Sequence, residues 1–380
     1  MFSHPGFRNV LLLLILAALP GCGTRETAED EPIDYQPLVL ADWNVSTPEA
    51  QGLDPGLVLS ACQKAQKLSS IYSLLIVKNG YLVAEEYFHG LRHNVTKPTA
   101  SVTKSFVSSL AGIALRENIL TSLDQTITGF FPEVDWPNTD PRKSQITIRQ
   151  ILQMRSGFPW EEFSGHIDRL FSKSDWVPFI DEFPLTSDPG TEFGYSNLTA
   201  HLLAIILARA AGTSLLDFAQ THLFEPLGIQ PGNWPRDALG YCFGSGDLAL
   251  TPRDMAKFGL LFLNSGTFKG AQVVPAEWVF ESLTPVSFNV YGGMVPSRPD
   301  GRILSSFDTL DYGYLWWSSK AGDHPFHYAW GHGGQLIVLV HDLDMVVVTS
   351  ADHLPGQFGD AAWQKEKAVM EIVGEFIRAI

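Results

Sequence analysis

Strand-type patterning is confined to the two ends of this 380-residue chain, and helical patterning fills its middle. A sheet leaves unpaired amides at its edges and needs an apolar layer on its faces, so two short sets of strands far apart in sequence are best satisfied by joining one sheet. The first set is a hairpin: Ile71 to Val77 and Tyr81 to Phe88 are rich in β-branched and aromatic residues, and Lys78-Asn79-Gly80 between them signals a turn. The second set comprises Tyr312 to Trp317, His327 to Trp330, Gln335 to His341 and Met345 to Ser350, with Asp342-Leu343-Asp344 marking a tight turn. Between them, Ser101 to Glu117, Ile146 to Met154, Ser196 to Ala211 and Leu215 to Leu223 carry helical periodicity and are joined by loops rich in Gly, Pro, Asp and Ser. Asp54 to Leu68 also reads as a helix, with Asp54 as cap and Pro55 in the first turn. A last helix over Asp360 to Ile380 gathers Ala362, Val369, Ile372, Val373, Phe376 and Ile377 on one face, suited to cover the sheet. The expected fold is α/β of the α+β type: a mostly antiparallel sheet of N- and C-terminal strands flanked by helices, with a helical middle subdomain at roughly 106–260.

Charge excludes one broad class of function. With 26 Lys+Arg against 41 Asp+Glu the formal charge is −15, and no basic surplus is available to neutralise phosphates, so nucleic acid is not an expected partner. Cys22, Cys62 and Cys242 are too few for a disulfide scaffold and lack metal-ligand spacing, and each of the latter two reads as a small buried hydrophobe.

The first 21 residues carry Arg8, an unbroken apolar run from Val10 to Leu19, and Pro20-Gly21 before Cys22. Ten residues span about 15 Å as helix, half a bilayer core, so the segment reads as a signal peptide rather than a permanent span. Leu19-Pro20-Gly21-Cys22 resembles a bacterial lipobox, with Pro20 a departure from the usual pattern; the resemblance implies a protein exported to the periplasm or cell envelope and lipid-anchored through Cys22. Residues 22–48 are rich in charge, Thr and Pro without sustained periodicity and read as a flexible tether; 49–380 read as the folded body.

Neither Gly-x-Ser-x-Gly nor His-Glu-x-x-His occurs, which disfavours an α/β-hydrolase elbow and a zincin. Ser-x-x-Lys occurs once, at Ser101-Val102-Thr103-Lys104, where a non-helical approach meets a helix. Three-residue spacing puts Lys104 one turn from Ser101 on the same face, and free N–H groups at a helix start stabilise an oxyanion. Serine needs a group to take its proton, and a lysine does so only when its pKa is brought down; alternatively it stays charged and lowers that of a neighbouring phenol. Tyr-x-Asn also occurs once, at Tyr195-Ser196-Asn197, between Asp188-Pro189-Gly190 and a helix. His332-Gly333-Gly334-Gln335 directly precedes a strand, and its glycines let backbone approach a ligand closely. Trp160, Glu161, Trp176, Asp181, Trp316 and Trp317 either line a substrate cleft or pack; Trp316 and Trp317 alternate along a strand, so at most one faces a ligand.

Taken in order, these three motifs resemble those of the serine β-lactamase and penicillin-binding-protein superfamily, and more narrowly its class C-related branch of β-lactamases, DD-peptidases, esterases and 6-aminohexanoate-oligomer hydrolases. The resemblance extends from about Thr47 to the C-terminus, through Ile146 to Gly157, Gly244 to Phe258 and Tyr312 to Trp317. It implies that Ser101 is acylated, that Lys104 and Tyr195 share proton transfer, that Asn197 orients substrate or Lys104, and that the backbone N–H groups of Ser101 and Gln335 form the oxyanion hole. His332 stands where β-lactamases carry the lysine that recognises a carboxylate; Lys320-Ala321-Gly322 competes for that position but falls in a turn. The resemblance implies a serine hydrolase of small or short peptide-like esters and amides with no metal or cofactor. A β-lactamase or DD-peptidase, or a non-catalytic receptor with the same fold, remains the alternative.

Overall fold

The computed structural model describes residues 32–290, 306–357 and 359–380, so the signal peptide, Cys22 and the first part of the expected tether lie outside the described residues. Asp54 caps the first helix, α1 (Pro55–Gln66), by accepting from the Gly56 N–H at 2.8 Å, with Pro55 at the first helical position. The hairpin follows as β1 (Ile71–Lys78) and β2 (Tyr81–Tyr87), with Asn79 and Gly80 at φ 52° and 77° in the turn. Helix α2 (Thr103–Arg116) opens the helical middle, α3 (Asn197–Ala211) packs against it, and α4 (Pro252–Leu263) closes it. The chain then returns through β3 (Asp311–Tyr312), β4 (Trp317–Ala321), β5 (His324–Gly331), β6 (Gln335–Val340) and β7 (Met345–Ala351), and ends in α5 (Asp360–Arg378).

The strands from both ends form one antiparallel sheet of order β2-β1-β7-β6-β5-β4-β3, with β1 bound to β7 from Lys78↔Met345 to Ile71↔Ala351. Every residue of β6 and β7 is buried, so both faces of the sheet centre are covered. Helix α4 lies across β1, β6 and β7, and Gly259 permits the approach: a Cβ there would stand 2.5 Å from Val346 and 2.9 Å from Ile337. Helices α1 and α5 pack together against the opposite side, and all six residues expected on the inner face of α5 are buried.

Three expectations are corrected. Tyr312 to Trp317 is not one strand: Gly313 N–H donates to the Trp316 carbonyl and Leu315 has φ 59°, so the segment is a turn joining β3 to β4. Its aromatic richness serves packing, as Trp316 lies on Phe258 and Phe262 in the core. The expected helix over Ile146 to Met154 contracts to Ile148–Leu152, where Thr147 and Gln150 form a capping box.

Residues 33–48, expected as the second half of the tether, are docked. Asn44 and Ser46 exchange hydrogen bonds with Leu82, covering the outer edge of β2. Arg253, buried on α4, pairs with Glu85 on β2 at 2.5 Å and with Asp42 at 2.6 Å, and donates to the Leu38 carbonyl at 2.7 Å. The physical cause is the buried guanidinium, which requires acceptors from this segment. Cys62 and Cys242 are free and buried, and burial pushes the Cys62 thiol up to about 12.

Candidate active site

Ser101 sits in a short 3-10 turn, Ala100–Val102, that leads directly into α2. Ala100 holds φ 46°, an uncommon conformation for alanine. Its carbonyl is fixed by the Thr103 hydroxyl at 2.7 Å and the Asp247 N–H at 3.2 Å, so the surrounding structure supports the strain. Gly331, the last residue of β5, presses against the same turn; a Cβ there would lie 2.3 Å from the Thr99 carbonyl oxygen. The end of β5 and the start of β6 are thereby set beside Ser101.

One helical turn on, Lys104 is 1% exposed, and its Nζ lies 2.7 Å from Ser101 Oγ, 2.9 Å from Asn197 Oδ1 and 2.6 Å from the Ser245 carbonyl oxygen. Burial lowers its pKa to about 8, against the opposing charges of Glu162, Glu161 and Asp247. The three contacts define what the neutral amine does. The Asn197 and Ser245 oxygens only accept, so they take the two N–H bonds and leave the lone pair directed at the Ser101 hydroxyl.

Tyr195 is buried, stacks on Trp317 with centroids 5.6 Å apart, and shares the cavity wall with Ser101. Burial pushes its phenol up, and the Ser101 hydroxyl only partly offsets this, so Tyr195 stays protonated at neutral pH. Of the two bases left open by the sequence, the geometry favours Lys104. Ser196 caps α3 by accepting from the Thr199 N–H at 3.1 Å, which places Asn197 on the first turn.

Two neighbouring carboxylates hold that turn. Glu161, expected either to line the cleft or to pack, is buried and accepts from Ser196 Oγ at 2.7 Å, Asn197 N at 2.9 Å and Leu198 N at 3.1 Å. Burial raises its pKa to about 7 although all three hydrogen bonds favour the anion. Glu162, which motif reading did not single out, takes the Trp160 indole N–H at 2.6 Å and the Asn197 amide at 3.3 Å, so the Asn197 oxygen is left facing Lys104.

His332 lies on the cavity wall with Nδ1 2.8 Å from Glu366 Oε2 and Nε2 2.9 Å from the Gln357 carbonyl. Burial works against a charge here, but the hydrogen bond and charge of Glu366 outweigh it and hold the imidazole above its usual range. Gly333 also donates to Glu366 at 2.8 Å, and Gly334 closes a turn onto Gly331 at 3.1 Å. The Gln335 side chain is spent on Ala351 of β7, through contacts of 2.6 Å and 3.0 Å, leaving its backbone as the part beside the site. Lys320 is exposed next to the β4–β5 turn and does not line the cavity.

Ser101, Tyr195, Asn197 and His332 open onto a cavity of about 820 Å³. Its aromatic wall includes Phe163, Phe171, Phe243, Trp317, Trp330 and Trp363. Among the six residues for which lining or packing was left open, Trp317 lines it; Trp160 packs at a tilt against Tyr195 and Trp176 packs on His201 and Phe243. Glu366 and Trp363 on α5 and the Ser245 carbonyl were missed, since single polar residues distant in sequence carry no periodic or motif signal.

A family model described as beta-lactamase matches residues 61–370. Among curated proteins, the 6-aminohexanoate-dimer hydrolase of Paenarthrobacter ureafaciens is 24% identical over 260 residues, covering 64% of this chain and 63% of that protein. The chain spans less than two thirds of the length of the first curated relatives it matches. Among solved structures, the D-amino acid amidase of Ochrobactrum anthropi superposes with TM-score 0.62 at 19% identity, covering 86% of this chain and 99% of that one. The octameric penicillin-binding protein homologue of Pyrococcus abyssi gives TM-score 0.60 at 19% identity, covering 84% and 77% respectively. At these identities the superpositions speak to fold.

Proposed function

The chain belongs to the beta-lactamase family, and from that premise we propose that it is a serine hydrolase of linear esters or amides acting through an acyl-enzyme on Ser101. The observation that carries the reading is Lys104 Nζ at 2.7 Å from Ser101 Oγ, with Ser101 and Tyr195 together on the wall of a large cavity. Neutral Lys104 accepts the Ser101 proton as Oγ attacks the substrate carbonyl, and the negative charge gathers on that oxygen. The N–H groups of Ser101 and Gln335 are the donors assigned to it, each worth about 3–4 kcal/mol in such sites. Tyr195 gives its proton to the leaving alcohol or amine and is reprotonated from Lys104, and water releases the acyl group by the reverse sequence.

His332 favours esters and linear amides over β-lactams, because the lysine that would receive a β-lactam carboxylate is replaced by an imidazole already held by Glu366. The name of the curated relative, a 6-aminohexanoate-dimer hydrolase, supports a hydrolase of small substrates. The apolar run before Cys22 supports a workplace outside the cytoplasm on a lipid tether. Rates on a short-chain p-nitrophenyl ester and a chromogenic cephalosporin test the proposal. Ester turnover well above cephalosporin turnover is expected, and loss of it in Ser101→Ala; cephalosporin as the better substrate refutes the substrate class.

A further inference from the structure

The contacts of Glu366 determine more than the shape of a turn. Its Oε1 takes the Trp330 indole at 2.5 Å, and its Oε2 takes both the Gly333 N–H and His332 Nδ1 at 2.8 Å. An indole and a backbone amide only donate, so both carboxylate oxygens act as acceptors. On the other side of the ring, Nε2 faces the Gln357 carbonyl, which only accepts. Both imidazole nitrogens therefore carry hydrogen, and His332 is an imidazolium paired with Glu366, its two N–H directions already used. Around it the cavity wall presents Glu162, Asp168, Asp247 and Asp360, whereas Lys104 is buried and enclosed by its three hydrogen-bond partners.

We infer that Glu366 is a specificity-determining residue: by engaging His332 from within the fold it leaves this position without a receptor for a substrate carboxylate, so the enzyme selects neutral or cationic esters and amides over anionic ones. The inference rests on Ser101 acting as the nucleophile.

The test compares p-nitrophenyl butyrate with the p-nitrophenyl monoester of glutaric acid, which adds a free carboxylate. In the wild type kcat/KM for the neutral ester exceeds that for the anionic one by about 50-fold or more. His332→Lys changes this ratio by less than about threefold, because Glu366 captures the new ammonium, whereas His332→Lys with Glu366→Gln narrows it at least about tenfold. Parity in the wild type, or the full narrowing in His332→Lys alone, overturns the inference. A readout independent of turnover is the His332 titration followed by 15N NMR in the full-length chain. It lies above the ordinary value of about 6.5 in the wild type and falls by about one pH unit or more in Glu366→Gln; equal values in both overturn the pairing. Absence of all ester turnover counts against the serine hydrolase instead, and the NMR comparison still decides the role of Glu366.

Discussion

Replacing Lys104 with methionine keeps an unbranched side chain one atom shorter and removes its charge, which exposes the electrostatic cost of the site. The native ammonium titrates near 8 rather than 10.5 because it is buried. Below pH 8 the charge is carried at a penalty of about 3 kcal/mol, from about 1.4 kcal/mol per tenfold change in proton affinity. The unfolded chain keeps this proton to higher pH than the native one does, so the wild type gains stability as pH rises from about 8 to about 10.5, and the variant lacks this gain. Urea unfolding of both proteins therefore shows wild-type stability minus variant stability growing by about 2.5 kcal/mol between pH 7 and pH 10. Subtraction removes the titrating groups that do not feel the Lys104 charge; Glu161, Glu162 and Asp247, which do, remain in the difference. In parallel, wild-type kcat/KM rises through a limb near pH 8, and Lys104→Met loses about 100-fold or more. A pH-independent stability difference, or a variant with near wild-type turnover, refutes the role given to the buried amine.

Tyr195→Phe keeps the ring on Trp317 and removes the proton donor, so kcat falls by about 100-fold or more with an unchanged thermal midpoint. Gly331→Ala drives a Cβ to 2.3 Å from the Thr99 carbonyl; calorimetry shows a loss of about 1–3 kcal/mol, and activity falls further than the neighbouring fold alone accounts for because the Ser101 turn shifts.

Local chemistry made much of this molecule legible. Asp54-Pro55 marks the start of α1, Asn79-Gly80 marks the hairpin, and Ser196 marks the start of α3, each through a backbone requirement met within a few residues. Ser101, Lys104, Tyr195 and Asn197 were legible as candidates because helix geometry and rare tripeptides fix them locally, and the structure brings them together. What escaped depends on partners far along the chain. The docking of residues 33–48 needs Arg253 on α4, over 200 positions away. Glu366 reaches the His332 turn only because α5 folds back on the sheet. Tyr312 to Trp317 misled for a related reason: aromatic residues that favour strands here fill a core around a turn, where Leu315 adopts a positive φ.

The central claim is that Ser101 becomes covalently acylated. Intact-mass spectrometry of the wild type after a fluorophosphonate probe, followed by peptide mapping, tests it without assuming a substrate. The account predicts one adduct per chain, located on Ser101 and lost in Ser101→Ala; an adduct on another residue, or undiminished labelling of that variant, contradicts it.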